Sequence, residues 1–167
     1  MRIYVASSWR NYRQSAVVQR LREDGHEVYG VRASEFAWSK IDPAWRNWNA
    51  RQFVAALQHP VAARGFDNDM AALCAAEATV LLMPCGRSAH LELGYAVGRG
   101  QRTAVLLEEH GSDPELMYRM AGLVTDSLEA LIAWLGDSEQ QRAPMTPEAQ
   151  AERDRAVAFL RREERRP

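Results

Sequence analysis

Short apolar runs alternate with helical patterns along the first 135 residues of the chain. Runs rich in Val, Leu and Ala predict strands, and apolar positions three and four residues apart predict the helices between them. Strands that alternate with helices form a sheet of parallel strands, because each helix returns the chain to the edge where the previous strand began. The predicted strands are 3–6, 26–31, 80–83, 102–107 and 122–124, and the helices begin near residues 16, 66, 88 and 127.

Five such strands predict an α/β fold, namely a Rossmann-like or flavodoxin-like doubly wound sheet with strand order 2-1-3-4-5 and helices on both faces. Polar residues in front of the helical patterns predict where the helices begin. On this basis Asp67, Ser88, and either Asp126 or Ser127 are the predicted N-caps. Ligands of such sheets bind at the carboxyl edge, where the strand order reverses.

An aromatic segment interrupts this alternation between residues 32 and 65. Pro43 suits the first turn of a helix with Asp42 as its cap, so we expect one amphipathic helix that ends near His59 and Pro60. Trp45 and Trp48 are interpreted as a satellite hydrophobic cluster. Insertions over the carboxyl edge commonly line a pocket, so the residues before this helix, Trp38 and Asp42, are candidate substrate contacts.

The regular alternation weakens after residue 107. Residues 108–113 form a polar loop and 114–118 a short helical turn, but residues 136–146 are polar without any periodicity. We therefore expect an α/β domain over 1–135, a linker over 136–146 and a C-terminal helix within 147–167. The thin apolar stripe of that helix packs on the domain or on a neighbouring subunit, or the helix frays.

Composition narrows the function classes. The formal net charge of the 167 residues is −1, so no overall field draws the chain to nucleic acid or to a lipid surface. The two cysteines, Cys74 and Cys85, do not have metal-ligand spacing and are expected to be reduced. No signal peptide and no membrane-spanning run are recognised, so the expected location is the cytoplasm. Only one basic residue, Lys40, is a lysine, so the many arginines alone do not indicate anion binding.

Most of the candidate catalytic and binding residues follow the first and third predicted strands. Glu92 lies early in a helix between two leucines, and the helix dipole alone would favour an acid there. Asp69 is expected in the first turn of the preceding helix, with Asp67 as the rival second carboxylate. Two carboxylates around a sugar are the pattern that cleaves a glycosidic bond. His90 lies two residues from Glu92 and should point elsewhere. The other candidates are Ser7, Ser8, Trp9 and Arg10 after the first strand and Gly86, Arg87 and Ser88 after the third.

These residues suit a nucleotide. Trp9 and Trp38 offer flat faces on which a base can stack, and Ser88 at a helix start beside Arg87 suits a phosphate. No P-loop motif occurs, and no G-x-G-x-x-G follows the first strand, which disfavours classical dinucleotide binding.

The sequence resembles the nucleoside 2-deoxyribosyltransferase family over most of residues 2–126. Residues 91–96, Leu-Glu-Leu-Gly-Tyr-Ala, match the family's E-x-G-x-A nucleophile motif and carry the resemblance most specifically. Ile3-Tyr4 followed by small residues and Trp9 is similar to the opening strand and loop, and Asn68-Asp69 is similar to the aspartate helix. Residues 114–126 resemble the segment that, in oligomers of the family, reaches toward a neighbouring subunit's pocket.

The resemblance implies roles for these residues. Glu92 would attack C1′ of the sugar, Tyr4 would orient its carboxylate, Asp69 would serve as acid and base at the leaving nucleobase, and Trp9 would contact the base. It implies no metal and no organic cofactor. It implies a nucleoside or nucleotide as partner, without nucleic acid polymer or membrane, in a homodimer or larger homo-oligomer with Met117 and Tyr118 near a subunit interface.

One position departs from the family. Gly86 stands where the transferases carry an aspartate near the sugar hydroxyl, so strict deoxyribosyl transfer is in doubt. A serine loop with basic neighbours is more similar to the branch that hydrolyses nucleoside 5′-monophosphates, in which Ser88, Arg10 and Arg87 would hold the phosphate. The alternatives are a non-catalytic nucleotide-sensing module, an enzyme that cleaves the glycosidic bond of NAD, and an interaction protein using the aromatic residues 36–48.

Overall fold

A computed structural model describes residues 1–30, 36–107, 115–137 and 147–163 of the chain. Its centre is one sheet of five strands in the order β2-β1-β3-β4-β5, and every neighbouring pair is parallel. The predicted fold class and strand order are therefore confirmed. The strands are β1 Arg2–Ala6, β2 Glu27–Gly30, β3 Ala78–Leu82, β4 Arg102–Leu106 and β5 Leu123–Thr125.

Helices cover both faces of this sheet, and the core is divided accordingly. The side chains that cover one face include Leu21 and Leu131, and those that cover the other include Leu73 and Leu93. Because β3 is covered on both faces, all five of its residues are buried, which explains its continuous apolar run. The helices are α1 Gln14–Glu23, α2 Ala50–Leu57, α3 Pro60–Ala75, α4 Arg87–Gly98, α5 Leu128–Gly136 and α6 Pro147–Glu163.

Two loops meet where the strand order reverses, between β1 and β3. Ser7 follows β1, and its Oγ donates a hydrogen bond of 2.9 Å to the carbonyl oxygen of Leu82 at the end of β3. Asn11 Nδ2 donates to the carbonyl oxygen of Pro84 at 3.0 Å and to Ser7 Oγ at 3.1 Å. These buried side chains satisfy carbonyl groups that the sheet leaves unpaired. They also hold the two loops together at the carboxyl edge.

The predicted start of the aspartate helix is wrong. This helix, α3, begins at Pro60 rather than near Phe66, because the His59 ring nitrogen accepts the N–H of Val61 and proline suits the first position. Asp67 is therefore not an N-cap. Asp69 lies in the middle of a sixteen-residue helix rather than in its first turn, so the helix dipole does not explain the acid there.

The single helix predicted from Pro43 to His59 is also wrong. Residues Trp45–Asn47 form a 3₁₀ turn, and the α-helix α2 begins only at Ala50. Asn49 caps α2 through a capping box with Gln52, in which each side chain bonds the other's backbone N–H. A strong cap after the turn therefore determines where this helix starts.

At the other end of the chain, Ser127 caps α5 as predicted, since its Oγ accepts the N–H of Ala130. The C-terminal helix forms and packs on the domain. Ala156 of α6 is buried against Cys74 and Ala75 of α3.

Several predictions fall wholly or partly outside the described residues, on residues 31, 108–114, 138–146 and 164–167. They are the end of the second strand, the polar loop, Pro114, most of the linker and the C-terminal end. The domain division stays a prediction.

A network of polar side chains ties α6 to both helices that carry the candidate carboxylates. Tyr95 of α4 donates to Glu152 Oε1 of α6 at 3.1 Å, and Arg99 of α4 pairs with the same carboxylate. Cys74 of α3 lies 3.3 Å from the Tyr95 hydroxyl. The network therefore fixes α3 and α4 relative to each other on one face of the sheet.

Gly65 of α3 provides a test of how the aromatic segment packs. A Cβ at Gly65 would lie 3.0 Å from three atoms of the Phe36 side chain, which is tighter than most real Cβ contacts, whereas a Cβ at Gly98 of α4 would meet nothing within 4 Å. We expect Gly65→Ala to lower the free energy of unfolding by about 1–2 kcal/mol. Gly98→Ala, the control, should leave it unchanged or raise it by up to about 1 kcal/mol. Thermal unfolding measures both, and equal melting temperatures would contradict this packing.

Candidate active site

Two tyrosines on neighbouring strands form the floor of the candidate site. Tyr4 of β1 and Tyr29 of β2 are paired in the parallel register. Side chains at paired positions project from the same face of a sheet. Their rings stack with centroids 5.5 Å apart and an interplanar angle of 14°. Tyr4 is buried, with 1% of its surface exposed, so its hydroxyl must find a partner within the protein.

Each tyrosine donates to one carboxylate. The Tyr4 hydroxyl hydrogen-bonds the carboxylate of Glu92 on α4, and the Tyr29 hydroxyl donates to Asp69 Oδ1 on α3 at 3.0 Å. Burial, followed by the charge of a carboxylate (Glu92 for Tyr4, Asp69 for Tyr29), raises the pKa of both phenols. Both hydroxyls therefore stay protonated and act as donors. These two tyrosine–carboxylate pairs bring together the three residues predicted to be catalytic.

The electrostatics of Glu92 differ from those of a surface carboxylate. Burial, and then the negative charge of Asp69, raises the pKa of Glu92 from 4.5 to about 7, although the hydrogen bond from Tyr4 opposes the shift. Near neutral pH a small change in the environment therefore ionises or protonates it. Such a group can act as a nucleophile when charged, and a neighbouring carboxyl group can then donate or accept the proton that the reaction transfers.

Ser7 of the loop after β1 belongs to the structural frame. Ser8, Trp9 and Arg10 of this loop, with Gly86, Arg87 and Ser88 of the loop after β3, form the outer part of the candidate site, which we call the rim. Ser7 is buried, and its hydroxyl bonds Leu82 and Asn11 as described above. Trp9 is 65% exposed, and the Arg10 guanidinium lies 5.6 Å from its ring centroid. Ser8 Oγ accepts the backbone N–H of Arg10. Trp9 thus presents an open aromatic face of the kind predicted to contact a base, and Ser7 holds the loop in position.

The loop after β3 differs from the prediction in one respect. Ser88 is not the N-cap of α4, because the helix begins at Arg87 with Gly86 as its cap and no side-chain hydrogen bond caps it. Arg87 and Ser88 are exposed in the first turn, where helical N–H groups have no partner within the helix. Gly86 has φ −97° and ψ −178°, and a Cβ there would meet nothing within 4 Å. Neither backbone geometry nor packing requires a glycine at this position, so its missing side chain leaves open volume.

Trp38 and Asp42 are occupied by contacts within their own segment. The Trp38 ring meets Phe36, Trp48 and Phe53 edge to face at 4.8–5.7 Å. Asp42 accepts the indole N–H of Trp48 at 2.6 Å and the backbone N–H of Ala44 at 2.8 Å. The hydrogen bond from Trp48, then that from Ala44, lowers the pKa of Asp42. The structure does not bring these two residues into contact with the tyrosine–carboxylate pairs.

Sequence reasoning missed Tyr29, the partner of Asp69. The available signal was its position in the second predicted strand, because a tyrosine beside Tyr4 in a parallel pair faces the same side. It also missed Asn11, which bonds the loops, and Arg13, whose Nη1 donates to the carbonyl oxygen of Leu107 at 2.9 Å. His90 points away from Glu92, as expected, and contacts Tyr118 instead.

Two kinds of feature are absent from the described parts of the chain. Within them, no group of three or more His, Cys, Asp and Glu side chains has an arrangement that could hold a metal ion. In the same residues, no helix has both the length and the apolar character that spanning a membrane requires.

Comparison with known proteins identifies the fold. No protein-family model and no curated protein sequence matches the chain. Among solved structures it is similar to the 2-deoxyribosyltransferase of the psychrotolerant bacterium Bacillus psychrosaccharolyticus, with a TM-score of 0.57 and 18% identity over 79% of this chain and 90% of that one. The chain has the fold of a 2-deoxyribosyltransferase. At this identity the similarity shows the fold alone, so the predicted family resemblance is confirmed for the fold and the motif at residues 91–96 stays a prediction.

A second similarity is weaker. The CMP N-glycosidase BcmB of Clostridium botulinum matches with 16% identity over 81% of this chain and 98% of that one, at a TM-score of 0.44. A TM-score of this size does not establish a common fold.

The raised pKa of Glu92 predicts how its replacement changes stability with pH. In the folded state Glu92 keeps its proton up to about pH 7, whereas the unfolded chain loses it near 4.5. The folded state therefore binds more protons between these values, and the contribution of Glu92 to stability falls as pH rises through this window. Glu92→Gln removes this loss, so its melting temperature relative to the parent should rise between about pH 4.5 and 7 and then level off.

Thermal unfolding across pH 4–9 measures this difference. Glu148→Gln, which removes an exposed carboxylate on α6, is the control for the loss of one negative charge outside the site. A Glu92→Gln difference that is constant across the series would contradict the burial and charge assigned to Glu92.

Proposed function

We propose that the protein is an enzyme that cleaves the N-glycosidic bond of a nucleoside or a nucleoside 5′-monophosphate through a covalent glycosyl ester on Glu92. The observation that carries the proposal is the pair of carboxylates on two helices, each hydrogen-bonded by a tyrosine from the sheet beneath. A pair of like charges in a half-buried site costs free energy, and perturbed carboxylates of this kind are concentrated at functional sites. The 2-deoxyribosyltransferase with the same fold, described as a biocatalyst for nucleoside synthesis, supports a nucleoside-type substrate.

The chemistry proceeds in two displacements. In the first, a carboxylate oxygen of Glu92 bonds to C1′ while the bond between C1′ and the base nitrogen breaks. The electron pair stays with the base, and Asp69 supplies the proton that neutralises it. In the second, Asp69 takes a proton from a water molecule or from a second base, whose oxygen or nitrogen bonds to C1′ and releases Glu92 as a carboxylate.

The hydrogen bond from Tyr4 favours the charged form of Glu92, which is the nucleophile. The productive form of the pair carries one proton, on Asp69, and one negative charge, on Glu92. Protonation of Glu92 blocks the first displacement. The rate should therefore follow the population of the singly protonated pair, falling above about pH 7, where both carboxylates are ionised, and again at low pH, where both are protonated.

The rim supports a phosphorylated substrate. Arg87 and Ser88 are exposed beside the open volume at Gly86, Arg10 is exposed in the loop after β1, and the first turn of α4 favours an anion. We assign the 5′-phosphate to these groups and the base to Trp9, whose exposed face allows stacking. From the resemblance of this loop to the branch that hydrolyses nucleoside 5′-monophosphates, we propose that water rather than a second base opens the ester.

Base release from a panel of nucleosides, 5′-monophosphates and NAD tests the proposal by chromatography. We expect Glu92→Gln to lower the rate by at least about 10³-fold, because no nucleophile remains. Asp69→Asn should lower it by about 10²–10⁴-fold, as expected for loss of a general acid. A second base added to the parent enzyme separates transfer from hydrolysis.

Glu148→Gln is the matched control and should retain the parent rate. Full activity in Glu92→Gln would reject the nucleophile assignment. Release from NAD alone would support the NAD-cleaving alternative. Ligands that bind the parent and Glu92→Gln equally and remain intact would mean a nucleotide-sensing module instead.

We further propose that a second copy of the chain covers an apolar face beside α4. Leu91 is 76% exposed and Leu116 is 75% exposed, and Met117 and Met120 are also exposed. Such a concentration of exposed apolar side chains is typical of an interface. Gly94 of α4 has open space where a Cβ would stand, so another backbone can approach closely.

Light scattering after size exclusion measures the oligomer. The parent chain should be a dimer or larger at micromolar concentration, and Leu116→Glu should shift it to a monomer by placing a charge in the interface. Val54→Glu, at an exposed apolar position of α2, is the control and should keep the parent state. A monomeric parent chain would contradict the proposed interface.

A further inference from the structure

His90 and Tyr118 form a contact pair that the proposed mechanism does not use. Their rings stack with centroids 5.8 Å apart and an interplanar angle of 16°. His90 Nε2 and the Tyr118 hydroxyl are 2.9 Å apart. Tyr118 is buried although it belongs to the 3₁₀ turn Leu116–Met120, in which Leu116, Met117 and Met120 are exposed. Tyr118 is therefore the side chain of this turn that points inward, where it contacts the start of α4.

The carbonyl oxygen of Gly86 determines which nitrogen of His90 carries the proton. His90 Nδ1 lies 3.0 Å from this oxygen, which can only accept a hydrogen bond. Nδ1 is therefore the donor, and in the neutral ring Nε2 is left as an acceptor. The Tyr118 hydroxyl fills that position as donor. A chain of two hydrogen bonds thus runs from Tyr118 through His90 to the loop backbone.

The pair also reaches the other end of the same loop. The Tyr118 hydroxyl lies 3.5 Å from Met83 Sδ, directly after β3. Cys85, between Met83 and Gly86, has its Sγ 3.3 Å from Met83 Sδ and 3.6 Å from His90 Nδ1. The pair therefore contacts the segment 83–86 at its first and last residues and encloses the Cys85 thiol between them.

His90 cannot act directly on the reacting atoms from this position. It lies two residues before Glu92, so the two side chains leave α4 on different sides. Its ring is engaged by Gly86 and Tyr118. Any effect of His90 on the reaction must pass through the loop that it holds.

We propose that His90 and Tyr118 are positioning residues that hold segment 83–86 in one conformation, and that this determines how tightly the rim at Gly86, Arg87 and Ser88 binds the sugar end of the substrate. The claim about substrate binding rests on the proposed function, and the claim about the conformation of segment 83–86 does not. Gly86 caps α4, so fixing its carbonyl oxygen also fixes the direction of the first-turn N–H groups that face the rim. The expected consequence is on substrate binding rather than on the chemical steps.

The Cys85 thiol reports the conformation of the loop without any substrate. We expect Tyr118→Phe and His90→Phe, which keep an aromatic ring but lose one or both hydrogen bonds, to speed alkylation of Cys85 by iodoacetamide at least fivefold. Cys74 is buried under α6 and serves as the internal control, because faster alkylation of Cys74 would indicate a general loosening of the folded protein. Its rate, read by mass spectrometry of the peptides, should stay unchanged. His90→Asn, whose amide can replace the Nδ1 donor, should be intermediate.

The second readout is kinetic and uses whichever panel substrate the parent enzyme turns over. Tyr118→Phe should raise KM at least fivefold and change kcat less than threefold. Ser39→Ala, which removes the hydroxyl of an exposed serine in the aromatic segment, is the control for both readouts and should match the parent.

Each outcome decides one part of the proposal. Unchanged Cys85 rates in both phenylalanine variants overturn it. Faster alkylation of Cys74 and Cys85 together means a general structural role and also overturns it. Faster Cys85 alkylation with an unchanged KM overturns the link to substrate binding. If no panel substrate is turned over, the proposed function has failed, and the thiol rates still decide whether the pair holds the loop.

Discussion

Two carboxylates share one half-buried site, and the arrangement around them depends on the tyrosine hydroxyls that face them. Like charges in a poorly solvated site repel, so the pair is tolerated only where donors compensate for lost water. Tyr4 donates a hydrogen bond to Glu92, and Tyr29 donates one to Asp69. The parallel register of β1 and β2 places the two donors side by side. The sheet thereby sets the positions of the donors, and the helices must bring the acids to them.

The packing of α3 and α4 follows from this requirement. Asp69 and Glu92 lie on separate helices, so small relative movements of these helices would change the distance between the charges. The polar network among Tyr95, Arg99 and Glu152 ties α4 to α6, and α6 packs on α3. At the carboxyl edge, Ser7 joins the first loop to the end of β3. The site is thus fixed from the sheet below and from the helices beside it.

The inner and outer parts of the site have different properties. Tyr4 is buried, the hydrogen-bonded side chains around it are half-buried, and the pKa values of Tyr4, Tyr29 and Glu92 are raised, which suits bond-breaking chemistry. Around Trp9, Arg87 and Gly86 they are exposed, and space is open. Differences in substrate among proteins with this arrangement would then come from the rim. In this chain the rim is connected through Gly86 to the His90–Tyr118 pair, which joins it to the surface turn Leu116–Met120.

The local pattern of the sequence determined the elements that depend on nearby residues. The five strands, their parallel order and the Ser127 cap were predictable, because buried strands and side-chain caps have local signatures. The proximity of Glu92, Asp69 and Tyr4 was also predicted, from a short motif, a family resemblance and the edge where strands end, and their roles stay a prediction. The start of α3 was missed, since Pro60 and His59 supply a cap that competes with Asp67 seven residues later. Ser88 was misread as a cap for a similar reason, because a glycine can cap a helix through its backbone alone.

The tertiary structure alone decided which side chains meet. Tyr29 acquires its role only because β2 lies beside β1 in a register that pairs it with Tyr4, and a one-residue shift would turn it to the other face. The raised pKa of Glu92 likewise requires burial and the charge of Asp69 from another helix. The sequence by itself determined the strands, the helices and the residue types at the sheet edge. Register and packing, which depend on contacts between distant parts of the chain, determined the hydrogen-bond partners and the charge state of the site.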